Sequence, residues 1–252
     1  MTAPDDRSGV GTLLPDEPAL VDAYAYPSLP GDYNYVRLSF VSSLDGAAEI
    51  GGSSRDLGGE SDRRMVGLLR SLADVVLVGA QTVRSERYTQ LRVAPDRQLR
   101  RRDAGQHPVP RVAVVSKSLD LDFDGSLFTH ADMPPIVFTT EDAPAERAVV
   151  ARRRAEVIVA GETRVESHTM LRALAATGLQ RVLCEGGPSL AAALLDDGAA
   201  DELCLTLSAR LAGPGHTGIV SGSSWALPKN ADLLHALRDG NDLFLRYRIA
   251  VV

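Results

Sequence analysis

The chain is short of everything that would make it secreted, membrane-spanning or metal-built. Two cysteines in 252 residues, Cys184 and Cys204, are too few for a disulfide framework, and both sit inside apolar runs. They read as reduced, buried thiols in a cytoplasmic protein. No apolar run approaches the ~20 residues that span a bilayer, and no basic-plus-apolar leader pattern opens the sequence. The five histidines (His107, His130, His168, His216, His235) never fall at ligand spacing, so no metal site is expected. A net charge of −6 disfavours a nucleic-acid partner, which calls for a basic surface. The G-x-S-x-G elbow, the P-loop and the G-x-G-x-x-G fingerprint are missing too. The common hydrolase, NTPase and Rossmann readings therefore lack support.

What is present is ordinary globular composition, 44% hydrophobic and 24% charged, arranged as alternating strand and helix patterns. Residues 1–33, rich in Pro, Asp and Gly, read as an irregular arm or a wrap over the body, and 34–252 as a single domain. Apolar strands are expected at Val36–Val41, Asp74–Gly79, Arg111–Val115, Pro135–Phe138, Val157–Val159 and Leu243–Val251. Met65, Leu68, Leu69 and Leu72 form one helical face. Further helices are expected at Ala145–Arg153 and Val165–Thr177, while Arg84–Pro110 reads as loop with a helical piece. The alternation argues for an α/β fold with a largely parallel sheet and an antiparallel hairpin at the C-terminal end.

The segment "RVLCEGGPSLAAALLDDGAADELCLTL" concentrates the functional signal. A strand stops at Glu185-Gly186-Gly187-Pro188, and a nearly uncharged helix begins. The glycines allow a tight turn and close backbone approach, proline suits the first helical turn, and the helix start is a ready anion site. A structural turn is the bland alternative. "SLDG" (Ser43 to Gly46), "VGAQTVRSERY" with Gly79, Thr82 and Glu86, and Ser116-Lys117-Ser118 also follow predicted strands. Carboxyl ends of parallel strands are where open α/β sheets place ligands. The runs Arg100-Arg101-Arg102 and Arg152-Arg153-Arg154 read as solvated faces.

Taken in order, "SSLDGAAEIGG", "LLRSLADVVLVGAQTVRSERYTQLR", "RVAVVSKSLDL" and "VLCEGGPSLAAALLDDGAADELCLTL…LAGPG" resemble the reductase domain of riboflavin biosynthesis, with its dihydrofolate-reductase-like fold. The resemblance covers the chain from about Val36 onward. It implies NADPH-dependent reduction of 5-amino-6-(5-phosphoribosylamino)uracil to the ribitylamino product. It also implies cofactor contacts at Val41, Leu57, Gly79, Thr82, Glu86, Ser116, Gly186, Gly187, Pro188, Ser189 and Leu190. Lys117 adds charge against a 2′-phosphate. Substrate contacts fall on Ser54, Arg70, Leu91, Arg92 and Glu185, where arginines suit a phosphorylated ribose. Glu86 and Asp45 are the candidate proton donors, Asp45 also reading as an Asp-Gly turn residue.

Two departures touch the sugar-phosphate end. Ser39 stands where many members carry lysine, and "ERYTQL" lacks the proline of the usual D-x-P-x-L run. No zinc-deaminase signature, H-x-E followed by P-C-x-x-C, occurs in the 252 residues. A dihydrofolate or pterin reductase, which would need a buried carboxylate facing the ring, and a non-catalytic NADPH-binding protein are the alternatives. The resemblance further implies a homodimer, with Cys204 to Leu207 as apolar edge surface.

Overall fold

The computed structural model describes residues 12–222, 225 and 227–250. Its strands are β1 (Thr12–Leu13), β2 (Tyr35–Ser43), β3 (Val75–Gly79), β4 (Arg111–Val115), β5 (Ile136–Thr139), β6 (Glu156–Val159), β7 (Arg181–Cys184), β8 (Glu202–Ser208), β9 (Ala231–Asp239) and β10 (Asp242–Ile249). The helices are α1 (Glu17–Ala23), α2 (Glu60–Leu72), α3 (Ala80–Ser85), α4 (Pro95–Asp103), α5 (Ser126–Thr129), α6 (Ala145–Ala151), α7 (Ser167–Ala175) and α8 (Pro188–Asp196). All ten strands form one sheet, in the order β1-β9-β10-β8-β2-β7-β3-β4-β5-β6. The seven from β8 to β6 run parallel, and β10 is antiparallel to both β8 and β9.

The uninterrupted apolar run of β3 has a simple cause. Val76 and Val78 pack with Met65, Leu68 and Leu69 of α2 on one face of the sheet. Val75 and Leu77 pack with Met170, Leu174, Ala191 and Leu194 of α7 and α8 on the other. Strands covered on both sides need no polar alternation. Strand β7 inserts between β2 and β3, so α8 starts at the middle of the sheet's carboxyl edge.

Three expectations are corrected. Within the arm of 1–33, residues 17–23 form a helix and Leu20 and Tyr24 are buried. Asp16 caps that helix, its carboxylate accepting from the Ala19 amide, and Pro18 suits its first turn. Residues 1–11 lie outside the described part. Second, Cys204–Leu207 is not an edge: β8 lies between β2 and β10, so a homodimer would need another surface.

Third, Arg101 is not a solvated residue but is 2% exposed. It donates to the carbonyls of Ser71 (3.0 Å), Ala73 (2.5 Å) and His107 (2.8 Å), closing the C-terminal end of α2. Burial pulls its guanidinium down to about 10. Arg101→Ala removes two buried hydrogen bonds and one part-buried one, and at ~1 kcal/mol each should cost about 3 kcal/mol. At 2–4 °C per kcal/mol the melting temperature should fall by roughly 10 °C, with the exposed Arg102→Ala as the unchanged control. Equal melting temperatures for the two variants would refute this role.

Candidate active site

The carboxyl ends of β2, β7 and β3 open into a cavity of about 840 Å³. Of the residues expected there, Val41, Ser54, Arg70, Thr82, Glu86, Leu91, Arg92, Glu185, Gly187 and Pro188 line its wall. Two close approaches shape the turn after β7. Gly186 has φ +87°, and a Cβ there would lie 2.9 Å from the Phe40 ring. A Cβ on Gly187 would lie 2.9 Å from Thr82 Oγ1. Glycine is therefore required at 186, and a side chain at 187 would have to displace the Thr82 hydroxyl; the Gly186–Gly187 peptide is cis. The Gly79 amide donates to Gly186 O at 2.7 Å, tying the ends of β3 and β7 together. The start of α8 carries no side-chain cap; Pro188 has no N–H and the Leu190 amide donates to Gly187 O at 3.0 Å, so the Ser189 amide is the one in the first turn left for an anion.

Opposite the turn, Arg70 on α2 grips both oxygens of Glu185, through Nε at 2.6 Å and Nη2 at 2.7 Å. The Tyr88 hydroxyl donates to Glu185 Oε2 at 2.7 Å and accepts from Arg70 Nη2 at 3.2 Å. Burial, then the Glu185 charge, push the Tyr88 phenol up. Tyr88 was not expected here. It sits two residues after Glu86, where the D-x-P run carries proline, so its signal was the departure itself. Glu86 accepts from Ser53 Oγ at 3.0 Å and from the Ser54 amide at 2.7 Å, holding the 53–55 loop at the cavity. Arg87 and Arg92 also line the wall and have no ion-pair partner among the described residues.

A second carboxylate went unnoticed in the sequence. Asp62, in the first turn of α2, is 7% exposed and lines the cavity. Burial pushes its carboxyl up, and a hydrogen bond from Thr206 on β8 opposes that shift. As one acid among the polar residues that open a helix, it read as ordinary dipole compensation.

The remaining expected residues stand elsewhere. Asp45 is off the wall, its carboxylate accepting from Ser43 Oγ and from the amides of Ala212 (3.0 Å) and Gly213 (2.8 Å). Those bonds hold it far below the usual carboxylate range. It ties the glycine-rich loop after β8 to the turn after β2, away from the cavity wall. Leu57 is fully buried. Ser189 contacts Ser221 Oγ at 3.2 Å, and Leu190 packs on the core. Ser116, beyond the end of β4, is buried with its Oγ unpartnered, and Lys117 pairs with Asp142 at 3.1 Å. Asp197, at the unfavourable end of α8, has a counter-charge in Arg164 at 3.6 Å. Among the described residues no group of His, Cys, Asp or Glu is placed to hold a metal, and no helix is long and apolar enough to cross a membrane.

A parallel sheet whose middle strands end on one large cavity, beside an uncapped helix start, is the arrangement of the reductases with a dihydrofolate-reductase-like fold. The model of the RibD C-terminal domain matches residues 34–245, and the chain belongs to that family. A 2,5-diamino-6-ribosylamino-4(3H)-pyrimidinone 5′-phosphate reductase of Methanothermobacter thermautotrophicus is 32% identical over 179 residues, 71% of this chain and 79% of that protein. One of the same name from Aquifex aeolicus is 29% identical over 80% of this chain and 88% of its own. Among solved structures, a pyrimidine reductase-like protein of Corynebacterium diphtheriae superposes with a TM-score of 0.80 at 28% identity. The match covers 86% of this chain and 92% of that one.

Proposed function

We propose that this protein reduces a phosphoribosylaminopyrimidine of riboflavin biosynthesis with NADPH. The observation that carries the reading is the juxtaposition, across one cavity, of the Gly186–Gly187 turn and the Arg70–Glu185–Tyr88 cluster. The turn suits a dinucleotide: a side chain at Gly187 would fill the space beside Thr82, and the Ser189 amide at the start of α8 would hold a diphosphate oxygen. The orphaned Ser116 hydroxyl and the Lys117 ammonium fit the adenosine 2′-phosphate, with Asp142 the group that must yield Lys117. Bound there, the cofactor supplies a hydride.

The chain's own residues do the positioning. The ring-opened imine of the substrate accepts the hydride at its former ribose C1′ while its nitrogen takes a proton, giving the ribitylamino product. Arg92 and Arg87 attract the phosphate, and Arg70, fixed by Glu185, presents its remaining surface to the sugar. Glu86, on the wall, is the candidate proton donor that remains. The buried free thiols of Cys184 and Cys204 suit a reducing cytoplasm.

Asp62 favours a second reading, reduction of dihydrofolate or another pterin, because it is a buried carboxylate facing the cavity. NADPH oxidation at 340 nm with the uracil and 2,5-diamino pyrimidines and with dihydrofolate separates the two. Turnover of a pyrimidine, with NADH at least ~10-fold poorer in kcat/KM, is the expected result. Turnover of dihydrofolate alone would establish the second reading. Silence on all three despite tight NADPH binding would leave a non-catalytic nucleotide-binding protein.

A further inference from the structure

Asp62 has a carboxylate that neither the cofactor turn nor the Arg70–Glu185–Tyr88 cluster uses. Its seat is built for it. A Cβ on Gly58 would lie 2.2 Å from Asp62 Oδ2, so the loop before α2 closes on the carboxylate only because residue 58 is glycine. Thr206 on β8 eases the cost of that burial, and most of the carboxylate's roughly four acceptor sites stay open. Arg63 acts on it only at a distance, and no cation pairs with it among the described residues. Ser39, beside Val66 on the same wall, offers a hydroxyl where many members of the family carry lysine. A carboxylate without a cation on a cavity wall takes its donors from water, and a ligand that displaces the water must replace them.

The two pyrimidines differ in that respect. A 2-amino-4-oxopyrimidine presents N3–H and the exocyclic 2-amino group side by side, two parallel donors that match both oxygens of one carboxylate. The uracil counterpart presents a carbonyl oxygen at C2, which would meet the carboxylate acceptor to acceptor. Its other two-donor edge includes the nitrogen that carries the ribose.

We propose that Asp62 reads the N3–H and 2-amino edge of the pyrimidine and restricts the enzyme to 2-amino-4-oxopyrimidine substrates over their uracil forms. This deepens the reductase reading and rests on it. A site built to bond donors rejects an analogue lacking them strongly, because its own polar group is left unpaired.

The test compares 2,5-diamino-6-ribosylamino-4(3H)-pyrimidinone 5′-phosphate with 5-amino-6-(5-phosphoribosylamino)uracil, in kcat/KM and in Kd by calorimetry. The wild type should favour the 2-amino compound by about 100-fold or more. Asp62→Asn should lower its kcat/KM by about 100-fold, mostly through KM, and raise that of the uracil form, because the amide can donate to the C2 carbonyl and accept from N3–H. The variant should bind NADPH as the wild type does. A wild-type ratio near one, or a preference for the uracil, would overturn the proposal even if no variant folded. So would an equal loss on both substrates in Asp62→Asn. If neither pyrimidine is turned over, the reductase reading fails, and the Kd ratio still decides: selective binding of the 2-amino compound supports the role of Asp62, equal binding refutes it.

Discussion

Arg70→Ala should lower kcat/KM for the pyrimidine by about 100-fold or more. Arg70 is partly exposed and Glu185 10% exposed, so alanine leaves a nearly buried carboxylate with only the Tyr88 hydroxyl. Breaking such a pair costs about 3–5 kcal/mol, because the remaining charge stays desolvated. Part of that loss should appear in the melting temperature. The rest should appear as lost orientation at the wall, since each ~1.4 kcal/mol lost from transition-state binding is tenfold in rate. Arg70→Lys should recover little, because one ammonium cannot hold both Glu185 oxygens and still meet Tyr88. Activity and thermal melts with saturating NADPH separate the two contributions. If kcat/KM falls no further than the folded fraction, Arg70 only fastens α2 to β7, and the sugar phosphate belongs to Arg92. Loss of pyrimidine turnover with retained dihydrofolate turnover would favour the pterin reading.

Glu202→Gln should be the most damaging change to stability. Glu202 and Arg37 are fully buried, with Nε to Oε1 at 2.5 Å, and Arg246 Nη2 meets Oε2 at 2.7 Å. One carboxylate thus compensates two cations. Its removal should cost about 4 kcal/mol, or roughly 10 °C in melting temperature. The same arginines hold the N-terminal helix. Arg37 donates to Tyr24 O at 2.9 Å and lies 4.2 Å from the Tyr26 ring, and Arg246 donates to Ala23 O. Protection of the α1 amides should therefore fall with stability in the variant.

The pH dependence follows from the same group. Burial pushes Glu202 up, but the Arg246 hydrogen bond and the Arg37 charge outweigh it and bring the carboxyl from 4.5 to about 2. Glu17, bonded by Arg97 at 2.8 Å, also falls to about 2. Both carboxyls are depressed in the folded state. Their stabilisation is complete above pH 4.5 and is lost as pH falls toward 2. Glu202→Gln should flatten the melting curve across that window. An unchanged acid slope in the variant would show that other carboxylates carry it.

Some elements were legible in the chain. Strand β3 could be read from Val75-Val76-Leu77-Val78, and α2 from Met65, Leu68, Leu69 and Leu72, because burial periodicity is written locally. The glycine turn was legible because Gly186 and Gly187 sit between an apolar strand and a helix that opens with proline. Helix α1 was not. Leu20 is its only buried residue, and the groups that seat it, Arg37 and Arg246, lie far along the chain. Arg101 looked like the middle of a surface run until three carbonyls from other segments turned it inward.

The sequence by itself therefore determined the α/β alternation, the strands covered on both faces, the glycine turn and the family. Apolar spacing and backbone freedom are properties of neighbouring residues. Only the tertiary structure decided which charges meet: Arg70 with Glu185, 115 positions apart, Arg37 with Glu202, 165 apart, and Asp62 alone on the cavity wall. A charge takes its role from its desolvation and its partner, and both are fixed by which segments the fold brings together.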